Sequence, residues 1–184
     1  MRFFRILTAC AALALPLGHA DVRGCLCDSA RPETMRPQEC SLCRLADAQP
    51  PGEAEFFLVH DNSPNKPNRW LAMPRSHGVN PQELSGMTAE QHSTLWTVAI
   101  RKAGELWGND WGLAVNNLMN RTQCHLHIHI GKLGPGAENN RFVAVDTAAE
   151  IPLPRNGDGI WVHPVGAKLH VHWGEDKPEL LLQR

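Results

Sequence analysis

The stretch Cys124-His125-Leu126-His127-Ile128-His129-Ile130 alternates strictly between histidines and other side chains. Successive side chains of a β-strand point to opposite faces of the sheet, so the pattern predicts a strand whose three histidines share one face. The other face would carry the aliphatic residues and Cys124, which is expected to be a packed thiol. At about 3.3 Å per residue the outer histidines would lie about 13 Å apart, too far for one metal ion to bind all three on a straight strand.

The segments on either side of this strand predict an antiparallel sheet with a helix on one face. Short apolar runs bounded by turn-forming residues predict further strands at 55–59, 70–73, 113–116, 142–145, 159–162 and 168–173. Thr88-Ala89-Glu90-Gln91 is a capping box, after which apolar residues recur at helical spacing until Gly108. A short helix is also predicted to begin within 80–83. The predicted fold class is therefore α+β, an antiparallel sheet with one long helix packed on a face.

The segments before the domain have a different composition. Residues 1–20 combine arginines, an apolar stretch too short to span a bilayer, and small residues at Gly18 and Ala20. This predicts a secretory signal cleaved near Ala20 and a periplasmic or secreted mature protein. Residues 21–53 are rich in Pro, Arg and Cys without periodicity, which predicts an irregular arm held by cross-links. Residues 54–184 would form the α+β domain.

The overall composition argues against two classes of function. The chain has 184 residues, of which 42% are hydrophobic, and 18 basic against 19 acidic side chains give a formal net charge of −1. General nucleic-acid binding requires a basic surface, so we expect no nucleic-acid partner. A membrane-spanning helix is not expected either, because no apolar run reaches the roughly 20 residues that it needs.

The context of the histidine run resembles a known family. Asn116-Asn117-Leu118-Met119-Asn120-Arg121-Thr122-Gln123 leads into the run, and Leu71-Ala72-Met73-Pro74-Arg75-Ser76-His77 precedes the predicted long helix. Over roughly residues 40–131 this combination resembles the histidine triad (HIT) superfamily, in particular its CDP-diacylglycerol pyrophosphatase branch. The resemblance implies a HIT-like fold. The chain differs from that branch in being short and in having His77 after the strand proline, so CDP-diacylglycerol and a soluble (di)nucleotide both stay open as substrates.

The resemblance implies hydrolysis of a nucleotide phosphoanhydride through a nucleotidyl-histidine intermediate, with no cofactor required for the chemistry. By the family pattern His127 would be the nucleophile, His129 would contact the phosphate, and His125 would orient its neighbours or bind metal. Imidazole is nucleophilic near its pKa of about 6.5, and charge that develops at phosphorus requires nearby donors. Substrate-binding donors of this kind are offered by Asn116, Asn117, Arg121, Thr122 and Gln123. Asn117 could equally be a turn residue.

Five cysteines follow the predicted signal, and two interpretations of them stay open. Cys27 and Cys40 have a spacing similar to a cysteine pair of the pyrophosphatase branch, and Cys25 with Cys43 could close a second loop around it. The alternative is a structural zinc site, which resembles that of other triad proteins and would use Cys40, Cys43, His77 and His125. Export favours disulfides, whereas the position of His77 favours zinc.

A second group of histidines lies near the C-terminus, at His163, His170 and His172. Alternation over 168–173 predicts a strand with His170 and His172 on one face, which could be an exposed face, a groove wall or a copper or nickel site. A rival function is a periplasmic metal-binding protein that uses both residues together with His125, His127 and His129. A third hypothesis is a triad domain that binds nucleotides without turnover. The resemblance also implies a homodimer that pairs through the long helix and edge strands.

Overall fold

A computed structural model gives the structure of the chain and describes residues 22–50, 52, 54–76 and 83–184, apart from the side chain of Asn156. The predicted secretory signal at 1–20, His77 and residues 80–82 of the predicted short helix lie outside the described residues. Within the described ranges, no helix has the length and apolar character needed to cross a membrane.

The described residues form an α+β fold built on a seven-stranded antiparallel sheet. In chain order the strands are β1 (Phe56–His60), β2 (Trp70–Pro74), β3 (Trp111–Val115), β4 (Ile128–Lys132), β5 (Val143–Val145), β6 (Gly159–Val165) and β7 (Lys168–Glu175). Across the sheet their order is β1-β2-β4-β3-β6-β7-β5. The α-helices of this part of the chain are α1 (Ser41–Asp47) and α2 (Ala89–Trp107). The long helix therefore has a shorter companion in the arm, where the sequence predicted irregular structure.

Helix α2 begins and ends where its sequence signals predict. Thr88 Oγ1 accepts from the backbone N–H of Gln91 at 3.2 Å, and the Gln91 side chain accepts from the Thr88 N–H at 3.0 Å. Gly108 follows the last turn with a φ of 61°, a conformation that glycine adopts without the steric cost of a Cβ. The buried stripe of the helix packs on the sheet and consists of His92, Leu95, Trp96, Ala99 and Ala103. This packing covers one face of the sheet and leaves the other for the histidines.

The predicted strand over 124–130 is only partly confirmed, because β4 begins at Ile128. The backbone N–H of Cys124 donates to the carbonyl of Glu39 at 2.8 Å, so it bonds to the arm rather than to a neighbouring strand. Leu126, Ile128 and Ile130 still lie in the core beneath α2, as alternation predicts. His129, inside β4, lies on the opposite face.

The chain's C-terminal segment, residues 178–184, lies against the second face of the sheet. Gly134 N–H donates to the carbonyl of Leu181 at 2.7 Å, and Gln183 N–H donates to the carbonyl of Lys132 at 2.8 Å. Gly112 makes this approach feasible, since a Cβ there would lie 2.5 Å from Leu182 Cδ2. The sheet and the C-terminal segment therefore pack closely beside the end of β4.

Two disulfides hold the arm, and one differs from the expected pairing. Cys27 pairs with Cys40, as in the disulfide interpretation of the sequence, but Cys25 pairs with Cys124 rather than with Cys43. Cys124 is therefore not the packed thiol expected from alternation. Cys43 is the free, buried cysteine among the described residues. The expected loop within the arm is thus replaced by a bond that ties the arm to the residue before His125.

The two disulfides should contribute unequally to stability. The Cys25–Cys124 bond closes a loop of 99 residues and the Cys27–Cys40 bond one of 13. Loop entropy predicts that replacing both cysteines of the first pair by serine lowers the free energy of unfolding by about 4–5 kcal/mol, against about 3 kcal/mol for the second pair. Urea unfolding of both double variants tests this difference. A larger loss from Cys27→Ser/Cys40→Ser would contradict it.

Candidate active site

His127 is held in a defined tautomer by the backbone. Its Nδ1 lies 2.8 Å from the carbonyl oxygen of His125, and because a carbonyl can only accept, Nδ1 carries the proton. The lone pair is therefore on Nε2, which lies 3.2 Å from Nε2 of His129. The rings of His127 and His129 meet edge to face, with centroids 4.6 Å apart. A buried imidazole is thus oriented with a nucleophilic nitrogen beside a second imidazole.

Burial lowers the pKa of both imidazoles. Desolvation has the largest effect on His127, and the nearby His129 and Arg121 act in the same direction, so its pKa lies well below the usual 6.5. Desolvation also lowers the pKa of His129, to about 4, although the carboxylate of Glu179 acts to raise it. Both rings are consequently neutral at pH 7, the state in which imidazole is a nucleophile or a neutral donor.

Glu179 contributes a carboxylate that the sequence did not single out. Its Oε2 lies 3.3 Å from His129 Nε2 and 2.5 Å from Lys66 Nζ. Burial acts to raise the pKa of Glu179, but His129 and Lys66 outweigh it and lower the pKa to about 2. Since an ionised carboxylate accepts only, His129 carries its proton on Nε2, where it faces both Glu179 and His127.

Two basic residues from the loop between β1 and β2 complete this side of the site. Arg69 is almost fully buried and donates from Nε to the carbonyl of Gln183 at 2.9 Å and from Nη2 to that of Leu182. Its Nη1 lies 3.5 Å from Glu179 Oε2. Lys66 and Arg69 thus anchor the C-terminal segment and bring positive charge to His129. Their place in an Asn- and Pro-rich turn gave no sequence signal for this role.

Arg121 and Asn116, both predicted to bind substrate, line one small pocket. The pocket has a volume of about 20 Å³, room for about one water molecule and well below the volume of a ligand site. Arg121 is fully buried and donates from Nη2 to the carbonyl of Cys124 at 3.2 Å. Asn116 Oδ1 accepts from the backbone N–H of Glu179 at 3.2 Å, which connects the pocket to the contacts of His129. The triad histidines, His125, His127 and His129, do not line this pocket. Arg121 is close enough to lower the pKa of His127 and of His129, and Asn116 is connected to His129 through Glu179.

Other predicted substrate-binding residues have different surroundings. The amide of Gln123 is bound to the arm: Oε1 accepts from Ser41 Oγ at 2.7 Å, and Nε2 donates to the carbonyl of Gln38 at 2.9 Å. Asn117 Oδ1 accepts from the backbone N–H of Met119 at 2.8 Å, as in an Asx turn. Thr122 is exposed. The structure therefore gives Gln123 and Asn117 structural contacts and does not bring them into the pocket of Arg121 and Asn116.

The zinc site implied by the resemblance does not fit the residues present. Cys40 is bonded to Cys27 and so offers no thiolate. His125 Nε2 donates to the carbonyl of Pro74 at 2.7 Å, which uses one ring nitrogen for a backbone contact. Burial, the largest effect, raises the pKa of the Cys43 thiol to about 11. His77, the remaining ligand of the implied zinc site, lies outside the described residues.

Potential metal ligands do gather elsewhere. Two clusters in the described part of the chain could hold a metal ion: Glu138, His163, His170 and His172 form one, and Cys25, Cys27 and Cys124 form the other. The three cysteines belong to the two disulfides. The triad histidines form no such group among these residues. The rival set of His170 and His172 with the three triad histidines is therefore divided between two places.

A larger pocket adjoins the smaller one. Its volume is about 440 Å³, and Pro154 and Asp158 line both pockets. Leu153 and Trp173 are substantially exposed on its wall, together with Val143. An apolar groove therefore adjoins the polar pocket of Arg121. Its strand residue Ile160 belongs to the face of the sheet that packs on α2, opposite the face of His129.

No protein-family model matches the chain, and neither does any curated protein compared with it.

The burial of His129 predicts an unusual titration. In NMR spectra of ¹⁵N-histidine-labelled protein, we expect the His129 ring to titrate near pH 4 and to stay neutral at pH 6. Glu179→Gln should lower this pKa further, because it removes the carboxylate that favours the protonated ring. A wild-type pKa near 6.5, or a rise in the variant, would contradict the proposed environment.

Proposed function

We propose that this protein is an exported hydrolase that cleaves a nucleotide phosphoanhydride with His127 as nucleophile. The observation that carries the proposal is the 2.8 Å contact of His127 Nδ1 with the His125 carbonyl, which leaves the Nε2 lone pair beside His129. The HIT-like motif from Asn116 to Ile130 supports the same chemistry by resemblance.

The first step would form a covalent nucleotidyl-histidine. The Nε2 lone pair of His127 attacks the α-phosphorus, a P–N bond forms, and the P–O bond to the leaving phosphate breaks. The leaving group departs with the electron pair as a phosphate ester anion. His129 donates its Nε2–H to a phosphate oxygen as charge develops there.

The second step would return the enzyme to its initial state. Water attacks the same phosphorus, the P–N bond breaks, and its electron pair returns to His127 Nε2. A nucleoside monophosphate and a proton are released. No redox or metal cofactor enters either step.

The charges around the triad support a phosphate-containing substrate. Lys66 and Arg69 lie beside His129, and Arg121 lines the adjoining pocket. Guanidinium groups bind phosphate by two parallel hydrogen bonds, and in a buried site such charges act more strongly than in water. A triad domain that only binds nucleotides would need these cations, but it would not need a His127 whose Nε2 is deprotonated and held in one orientation. The orientation of His127 therefore favours catalysis over binding alone.

The substrate class is proposed from the surface beside the pocket of Arg121. That pocket shares Pro154 and Asp158 with an apolar groove at Leu153 and Trp173. A lipid nucleotide such as CDP-diacylglycerol offers a phosphoanhydride next to a large apolar group, whereas a dinucleotide would leave the groove without an apolar occupant. We propose the lipid nucleotide as the preferred substrate class.

Export is part of the proposal. The signal-like residues 1–20 support it. The two disulfides are a second argument, since such bonds persist in oxidising compartments and are rare in the cytosol. The homodimer implied by the resemblance stays a prediction.

The assay is release of nucleoside monophosphate by the purified protein, offered CDP-diacylglycerol in detergent micelles and a dinucleoside polyphosphate in parallel. We expect CMP release from the lipid nucleotide at the higher kcat/KM. His127→Ala should reduce kcat by about 10⁴-fold or more, because no other group replaces the nucleophile.

His60→Ala is the matched control, since His60 lies at the exposed end of β1. This variant should retain wild-type activity. Turnover of neither substrate, or equal activity in His127→Ala, would contradict the proposed function. Preference for the dinucleotide would keep the triad chemistry and overturn the substrate class.

A further inference from the structure

A second imidazole cluster lies on the triad's side of the sheet but at a separate place. Cross-strand neighbours run from His129 through Ala114 and Trp161 to His172, on β4, β3, β6 and β7 in turn. Three steps between strands of about 4.8 Å put His172 about 14 Å from His129. The cluster shares no residue with the proposed catalytic site. Ligand binding at the cluster can therefore be tested independently of catalysis.

The cluster is formed by one hairpin and one loop. His163 on β6 is the cross-strand partner of His170 on β7, and His172 follows two residues later on the same face. Glu138 reaches the three rings from the loop between β4 and β5. The four ligand atoms all lie within 4.8 Å of one another.

We propose that Glu138, His163, His170 and His172 form a binding site for a divalent transition-metal ion, with Zn²⁺ as the ion that the geometry fits. Three imidazole nitrogens and one carboxylate oxygen are a ligand set that zinc accepts in four-coordinate sites.

Three distances between ligand atoms are close to those around a tetrahedral ion. Zinc bonds of about 2.0–2.1 Å place neighbouring ligand atoms about 3.3–3.4 Å apart. His163 Nε2 and His172 Nε2 are 3.3 Å apart, and His170 Nδ1 is 3.4 Å from Glu138 Oε1. Glu138 Oε1 is also 3.6 Å from His172 Nε2. The one shorter distance, 2.5 Å from Glu138 Oε2 to His163 Nε2, involves the most exposed member, whose side chain has room to turn.

Surrounding residues orient the rings. His172 Nδ1 lies 3.3 Å from Asn139 Oδ1, an acceptor that keeps the proton on Nδ1 and the lone pair on Nε2. Trp161 stacks on His172 with ring centroids 3.7 Å apart and planes inclined by 6°. Phe142 stacks on His170 at 3.8 Å and 11°. Stacking therefore holds the rings of His170 and His172 in place before an ion arrives, and the Asn139 contact leaves His172 Nε2 ready to bind it. His163 Nε2 and His170 Nδ1, which face the Glu138 carboxylate, would have to give up a proton when the ion binds.

Binding would link two separate parts of the fold. Glu138 belongs to the loop whose residues Leu133 and Gly134 contact the C-terminal segment. The three histidines belong to the β6–β7 hairpin. A bound ion would cross-link this loop to the hairpin and should raise the melting temperature.

The experiment is a Zn²⁺ titration of the chelator-treated protein, purified without a polyhistidine tag and followed by calorimetry. We expect one ion per chain with a dissociation constant in or below the micromolar range, and a higher Tm with Zn²⁺ than with chelator. Co²⁺ in place of Zn²⁺ should give the intense visible absorption of a tetrahedral site.

The variants are chosen at the accessible ligands, so that folding is retained. Glu138 is 44% exposed and His170 15% exposed, whereas His163 and His172 are buried. Glu138→Gln and His170→Gln should each weaken Zn²⁺ binding by about 10- to 100-fold or more. His60→Gln is the matched surface control, and His129→Gln tests the triad as an alternative site; both should bind as the wild type does.

Three results would overturn the proposal. One is failure of the wild-type protein to bind Zn²⁺. Another is unchanged affinity and stoichiometry in both ligand variants. The third is loss of the ion in His129→Gln, which would assign it to the triad. Each is independent of nucleotide hydrolysis, so failure here and failure of the proposed function are distinguishable.

Discussion

The hydrogen bond from His127 Nδ1 to the His125 carbonyl is the constraint on which the candidate site depends. In a regular strand the carbonyl of His125 would instead be an acceptor for a neighbouring strand. The chain leaves strand geometry before Ile128 because Cys124 is bonded to Cys25 and its N–H to Glu39. The arm thus determines the conformation that fixes the imidazole tautomer.

The C-terminal segment supplies the other half of the site. It lies against the sheet because Gly112 leaves space for Leu182, and Arg69 binds its backbone carbonyls. This places Glu179 between His129 and Lys66. A buried carboxylate with these partners is stable only as a group, since removing one would leave uncompensated charge. The site is therefore assembled from residues near both ends of the domain.

Much of the fold could be predicted from local patterns. Each predicted strand has a counterpart in the sheet, and α2 begins after the capping box at Thr88. The alternating pattern correctly placed Ile128 and His129 on opposite faces of the sheet, but it predicted a strand that begins at Cys124. The pattern could not show that Cys124 bonds to Glu39, which lies more than 80 residues away in the chain. The short helix α1 was missed in a segment without periodicity.

The site was predictable to a smaller extent. His127, His129, Arg121 and Asn116 are brought together, whereas Gln123 packs on the arm. Lys66, Arg69 and Glu179 had no signal, because a charged residue in a turn or at a chain end is ordinarily solvated. Lys66 and Glu179 are 113 residues apart in the sequence, so their ion pair can be recognised only in the folded structure. The Cys25–Cys124 bond was unpredictable for the same reason.

The stereochemical course at phosphorus tests the central claim most directly. The substrate would be a nucleotide whose α-phosphorus is made chiral with sulfur and an oxygen isotope, hydrolysed in isotopically labelled water. Attack by His127 followed by attack by water consists of two in-line displacements, so the account predicts net retention of configuration. Net inversion would show a single direct attack by water and would contradict the covalent role of His127.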